Sequence, residues 1–253
     1  MAPASPRGFL FLAPLPVYNS FEVCIMSRKA ICLFAALATL GPAAPAADWV
    51  NLFNGKNLDD WSVHSGTATY AVENGVIFGT TVLGSPNTFL CTTKEYGDFI
   101  LEFEVKVDTE LNSGVQIRSQ IAPEDMVVKY VHEGKEHERK IPKDRVYGYQ
   151  VEIAANSPNS GNIYDEARRA VFLDDFSARP AAQKAFQDGQ WNKYRIEARG
   201  DSIKTWINGI PCADLRDSMT SRGIIGLQVH SVPKDKFKPY QVRWRNLRLM
   251  ELR

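Results

Sequence analysis

Phe99-Ile100-Leu101-Glu102-Phe103-Glu104-Val105-Lys106-Val107 is the stretch on which the fold turns. Phe99, Leu101, Phe103, Val105 and Val107 alternate with Ile100, Glu102, Glu104 and Lys106. A period of two sends successive side chains to opposite faces of a strand, so one face is buried and the other mostly wet. The rhythm recurs downstream. Tyr194, Ile196 and Ala198 alternate with Lys193, Arg195, Glu197 and Arg199. Residues 203–207 run into Asn208-Gly209, the strongest short hairpin signal, and Ile210 resumes. Asn74-Gly75 marks another hairpin, between 68–72 and 76–79, and residues 243–249 form a closing strand. Helical pattern is confined to one or two turns over 181–187. Residues 123–143 are polar and charge-rich around Val127-Val128-Lys129-Tyr130-Val131, and read as a long loop or an inserted hairpin. Many short strands with frequent turn signals predict an all-β sandwich of two antiparallel sheets, each of about five to seven strands.

Composition narrows the function classes. The chain has 253 residues, 44% hydrophobic and 23% charged, which excludes disorder, collagen and coiled coil. Lys and Arg number 30 against 29 Asp and Glu, so a general pull toward nucleic acid is absent. No apolar run reaches the ~18 residues of a membrane span.

Ser27-Arg28-Lys29, the apolar run Ala30 to Leu40 and the small-residue site Ala44-Pro45-Ala46 together read as a secretory signal peptide. Met26 stands where such a peptide starts, which makes residues 1–25 an upstream extension. The expected division is 1–46 as extension and signal, and 47–253 as one domain. The expected location is periplasmic or secreted. Arg7, Arg28 and Lys29 against Glu22 leave with the presequence, which takes the formal charge from +1 to −1. Cys24 and Cys32 leave too. Cys91 and Cys212 remain, either bridged in an oxidising compartment or as two buried thiols.

Three strands carry an unusual polar face. In 112–120, Val115 and Ile117 alternate with Gln116 and Arg118. In 147–153, Tyr149, Val151 and Ile153 alternate with Gln150 and Glu152. In 223–231, Ile225, Leu227 and Val229 alternate with Gln228 and His230. Each strand therefore offers an amide and an ionisable group opposite its apolar face. Such groups suit the hydroxyls of a sugar. If the three share one sheet they make a polar cleft floor; otherwise they are solvated outer faces. Between the second and third lies Ser160-Gly161-Asn162-Ile163-Tyr164-Asp165-Glu166-Ala167-Arg168-Arg169, either a loop at the cleft rim or a surface ion-pair cluster.

Seven segments now point to one family. They are Trp49-Val50-Asn51-Leu52-Phe53-Asn54-Gly55-Lys56-Asn57-Leu58-Asp59-Asp60-Trp61; Asn112-Ser113-Gly114-Val115-Gln116-Ile117-Arg118-Ser119; Gly148-Tyr149-Gln150-Val151-Glu152-Ile153; Gly161-Asn162-Ile163-Tyr164-Asp165-Glu166; Trp191-Asn192-Lys193-Tyr194-Arg195-Ile196; Gly226-Leu227-Gln228-Val229-His230-Ser231; and Trp244-Arg245-Asn246-Leu247-Arg248. In this order they resemble the bacterial 3-keto-disaccharide hydrolase domain, over roughly residues 48–253. The resemblance implies a concanavalin-like jelly-roll sandwich with a concave polar cleft, export, and cleavage of sugars whose C3 hydroxyl is oxidised to a ketone. The charge-rich 129–143 departs from the family pattern.

The chemistry of such a sugar sets the requirements. Its C2 proton is alpha to a carbonyl, so a base can remove it and the aglycone leaves by β-elimination. Water then adds, giving net hydrolysis. The site needs a base, a cation or metal for the oxyanion, and an acid for the leaving oxygen. His230 is the candidate base, since a free imidazole titrates near about pH 6.5; the alternative is a structural histidine. Arg118 is the candidate oxyanion partner, or a buried partner to Glu152. Glu152 is the candidate acid or metal ligand. Gln116, Gln150 and Gln228 are read as orienting hydroxyls. Asp165, Glu166 and Tyr164 stand at the rim, with Arg168 as a second clamp. Glu152, His230 and Asp165 would form a mixed set for a divalent metal. His64, His132 and His137 are read as surface side chains. The competing readings are a lectin-like carbohydrate-binding module, with Tyr164, Trp206 and Tyr147 as aromatic platforms, and a structural partner domain.

Overall fold

The computed structural model describes residues 48–252; the stretch read as an extension and signal peptide lies outside them. The chain runs through β1 (Val50–Asn51), β2 (Trp61–His64), β3 (Thr69–Glu73), β4 (Val76–Thr80), β5 (Thr88–Thr92) and β6 (Phe99–Val107). It continues through β7 (Asn112–Ile121), β8 (Met126–His132), β9 (Lys135–Ile141), β10 (Val146–Ala154) and β11 (Ile163–Glu166). After the short helix α1 (Pro180–Gln183) come β12 (Asn192–Arg199), β13 (Ser202–Ile207), β14 (Ile210–Arg216), β15 (Ile224–Val229) and β16 (Gln241–Glu251).

Two antiparallel sheets form a jelly-roll sandwich. An eight-stranded sheet runs β14-β13-β12-β6-β16-β4-β3, with β1 added on β16. A six-stranded sheet runs β11-β10-β7-β15-β5-β2. The alternating residues of β6 do what their pattern predicts: Phe99, Leu101, Phe103, Val105 and Val107 are buried in the core between the sheets. Val115, Ile117, Tyr149, Val151, Ile225 and Leu227 meet them from the other sheet. Residues 123–143 form an inserted two-stranded hairpin, β8 with β9. Cys91 and Cys212 are separate buried thiols, and burial pushes the Cys212 thiol up to about 11.

The three polar strands lie side by side, with β7 between β10 and β15. The sheet curls strongly. Asn87, just before β5, reaches Glu166 on β11 with Nδ2 3.4 Å from Oε1, although three strands lie between. Residues 144–146 strap across the curl. Asp144 holds His64 on β2 with Oδ1 2.5 Å from Nδ1, and Oδ2 accepts from Ser65 N–H at 3.0 Å. Ser62 Oγ lies 2.8 Å from the other ring nitrogen. Arg145 lies over the Phe89 ring at 5.5 Å and pairs with Glu166. His64, read as a plain surface side chain, is therefore the anchor of this strap. Beneath the strap, Phe89, Cys91, Val146 and Ile224 form a second, smaller apolar cluster.

Candidate active site

A cavity of about 340 Å³ opens in the curl of the six-stranded sheet. Gln150, Glu152, Tyr164, Glu166 and His230 line it, joined by Asn87, Asn112 and Phe172. Strand geometry explains the set. Gln150 and Glu152 are two apart on β10, and Gln150 pairs in register with Tyr164 on β11. Glu166 follows Tyr164 by two, so both point the same way.

Glu152 is the centre of the arrangement. Its side chain is buried, Oε1 accepts from Asn112 Nδ2 at 2.6 Å, and Oε2 accepts from Gln150 Nε2 at 3.0 Å. Burial pushes its carboxyl above the usual range, against the pull of these two amides, and the nearby Glu166 charge pushes the same way. His230 is half-buried, with Nδ1 2.7 Å from the Ser231 carbonyl. A carbonyl only accepts, so Nδ1 carries the proton and Nε2 keeps its lone pair.

The amides lie deeper than the sequence suggests. Gln116 and Gln228 are fully buried, and both donate to Gln150 Oε1, at 2.7 and 2.9 Å. They support Gln150 rather than facing the cavity. Gly114 makes room for this. A Cβ there would meet Cγ and Cδ of Gln150 at 2.5 Å and its Nε2 at 2.8 Å. Gly114→Ala is expected to displace the Gln150 amide and cost about 1–3 kcal/mol. Thermal unfolding would record this as a drop of about 3–9 °C.

Three residues stand elsewhere. Arg118 is not on the cleft floor. It has a left-handed φ of 47°, and β7 carries an extra residue against both neighbours, between Gln116 and Ser119 opposite β15 and between Gln116 and Gln120 opposite β10. This bulge inverts the alternation and turns the guanidinium toward the other sheet. There it donates to the carbonyls of Gly97 at 2.8 Å and Gly200 at 2.7 Å, and pairs with Asp98 at 2.7 Å. Asp165 sits between Tyr164 and Glu166 and so faces the sandwich interior. Arg168 donates to it at 2.9 Å, and Arg169 binds it as well. Arg168 lies over the Tyr149 ring at 5.0 Å, so it is a packed partner of Asp165 and not a rim clamp. The mixed ligand set of Glu152, His230 and Asp165 is consequently not assembled, and among the described residues no group of three or more His, Cys, Asp or Glu is placed to hold a metal. Trp206 lies on the other sheet, under Arg195 at 5.7 Å.

Of the residues that sequence reasoning missed, Asn112 was legible: it shares a face with Gly114 and Gln116 by the same alternation. Asn87 and Phe172 lie on loops, where no period exists to assign them.

Comparison with known proteins agrees with this architecture. A carbohydrate binding module, CBM66 from Bacillus subtilis, is similar with a TM-score of 0.52 and 15% identity, over 76% of this chain and 96% of that one. A protein proposed to be a glycosyl hydrolase from Parabacteroides distasonis has a TM-score of 0.50 and 17% identity, over 81% of this chain and 94% of that one. A structure described as a native glycosidic hydrolase gives 0.50 and 11%, over 82% and 97%. At these identities the likeness speaks to the fold. No curated protein matches the chain. The family described as the 3-keto-alpha-glucoside-1,2-lyase-like domain matches residues 48–250, which takes in both sheets and every residue lining the cavity. The chain belongs to that family.

Proposed function

We propose that this is an exported carbohydrate-acting enzyme that cleaves 3-keto-glycosides by removing the C2 proton. The observation that carries the reading is one cavity holding a carboxyl kept above its usual range and a histidine with its Nε2 lone pair free. The family match and the sugar-sized polar cavity support it.

In this reading His230 Nε2 takes the proton from C2, and the C–H electrons form an enolate on the C3 oxygen. The enolate then restores the C3 carbonyl, a C1–C2 double bond forms, and the C1–O bond breaks. Glu152 gives its proton to the leaving oxygen. The product is an unsaturated keto sugar. Addition of water across the new double bond completes a net hydrolysis. With Arg118 turned away, Asn87 Nδ2 at the cavity wall is the donor available to the enolate oxygen. Glu166, fixed by Arg145, and Tyr164 orient hydroxyls.

One observation favours a second reading, sugar binding without turnover. Tyr164 and Phe172 meet edge-to-face with ring centroids 5.2 Å apart at the cavity wall, and Phe172 is exposed. The deciding assay offers the purified protein a 3-keto-glucoside and its parent glucoside, with and without a chelator. Cleavage of the keto sugar alone is expected. Cleavage of both would indicate ordinary glycoside hydrolysis, and affinity without product would establish the binding module. Loss of cleavage with chelator would add a metal requirement.

A further inference from the structure

The amides behind Glu152 form a directed chain. Ser119 Oγ–H donates to Gln116 Oε1 at 2.7 Å. Gln116 Nε2 donates to Gln150 Oε1 at 2.7 Å, and Gln228 Nε2 donates to the same oxygen at 2.9 Å. Gln150 Nε2 then donates to Glu152 Oε2 at 3.0 Å. Every bond points toward the carboxyl. Each amide polarises the next, so the chain acts as a unit.

We propose that Ser119, Gln116 and Gln228 are positioning residues that hold Gln150 in one orientation, making Oε2 of Glu152 a permanent acceptor and Oε1 the oxygen that carries the transferable proton. The proposal rests on the reading of Glu152 as the acid. The argument is one of unequal costs. A proton on Oε2 would face the Gln150 amide N–H. Relieving that clash would require Gln150, Gln116 and Gln228 to turn over together and Ser119 Oγ–H to swing to the Tyr149 carbonyl, 3.1 Å away: four buried groups move, against one on the other side. Turning Gln150 alone would set its N–H group against two donors. The other side is free to adapt. Asn112 Nδ2 donates to Oε1, but Asn112 Oδ1 has no hydrogen-bond partner among the described residues. Asn112 can therefore turn to accept from a proton on Oε1 and break nothing else.

The relay also explains why polar side chains occupy fully buried positions next to the site. A leucine or methionine there would pack without an orientation to defend. Three glutamines with a serine terminus cost desolvation, and what they return is a carboxyl with two unlike oxygens.

The test uses protein carrying carbon-13 in the glutamate carboxyl and follows the Glu152 resonance through a pH titration. Wild type is compared with Gln116→Met, Gln228→Met and Ser119→Ala. The serine variant is the smallest change and lies farthest from Glu152, so it keeps the test open if a glutamine variant fails to fold. Glu152 is expected to titrate higher in all three, because the oriented donor to Oε2 is weakened. With a 3-keto-glucoside, kcat is expected to fall about tenfold with KM unchanged, and the alkaline limb of the pH profile to move with the titration. A Glu152 titration identical in wild type and variants would overturn the relay, whatever the activity. A titration that moves in a protein that turns over no keto sugar would leave the relay standing and remove the enzymatic reading instead.

Discussion

Glu152→Gln should lower turnover of a 3-keto-glucoside by about two to four orders of magnitude while leaving the fold in place. The substitution removes the cavity carboxyl that burial holds above its usual range. It keeps the side chain's size. The introduced amide has to present an N–H group to one of two donors, Gln150 Nε2 or Asn112 Nδ2. Gln150 is held by Gln116 and Gln228, whereas Asn112 has its oxygen unpartnered and can turn to accept. The unfolding temperature should therefore stay within a few degrees of wild type. The pH profile carries a second readout. With Glu152 as the acid, the wild-type alkaline limb is expected where Glu152 loses its proton, above the ordinary carboxylate range, since the folded value is raised. In the variant that limb should vanish while the acid limb, set by protonation of the base, persists. Full activity in Glu152→Gln would end its role as the acid.

Arg118→Met is the opposite kind of change. It should cost about 2–4 kcal/mol of stability, because two carbonyls and one carboxylate lose their donor and a fully buried side chain is shortened. For a domain of this size that is a drop of about 5–15 °C in Tm. The partner Asp98 is 39% exposed, so water covers part of the lost pairing and the lower half of the range is favoured. Below the transition, kcat should stay within about threefold of wild type. A hundredfold loss of kcat at unchanged Tm would put Arg118 back into the chemistry, as its place in the strand pattern suggests.

That contrast shows what a period of two can and cannot say. Alternation in β7, β10 and β15 assigns their polar faces, but it is the strand order, with β7 between β10 and β15, that brings Gln150, Glu152 and His230 to one cavity; the same period in β6 places the core. Parity fails wherever one residue is added. Arg118 lies at such a point, and arginine is not a residue whose identity announces a left-handed backbone. Asp165 fails for a related reason. It lies on a four-residue strand between Tyr164 and Glu166, too short for its own rhythm to stand out from the charges around it. The depth of Gln116 and Gln228 depends on what covers the sheet. No local pattern in β7 or β15 reveals that cover. Asn87 and Phe172 reach the site from loops, through the curl of the sheet.

The bulge at Arg118 has an electrostatic consequence for the carboxyl four strand positions away across the floor. An unbroken β7 would set a guanidinium, which never gives up its charge, beside Gln116 on the cavity side. A fixed cation on that face, four residues of ~3.3 Å along β7 and one strand across from Glu152, would favour its anion by about 1 kcal/mol at an effective dielectric near 20. That is roughly a fivefold change in proton occupancy. One extra residue sends the charge through the sheet to Asp98 instead, and β7 brings no cation to the floor. Freedom from that cation is thus a property of strand register: a single deletion in β7 would recharge the site without altering any residue that lines it.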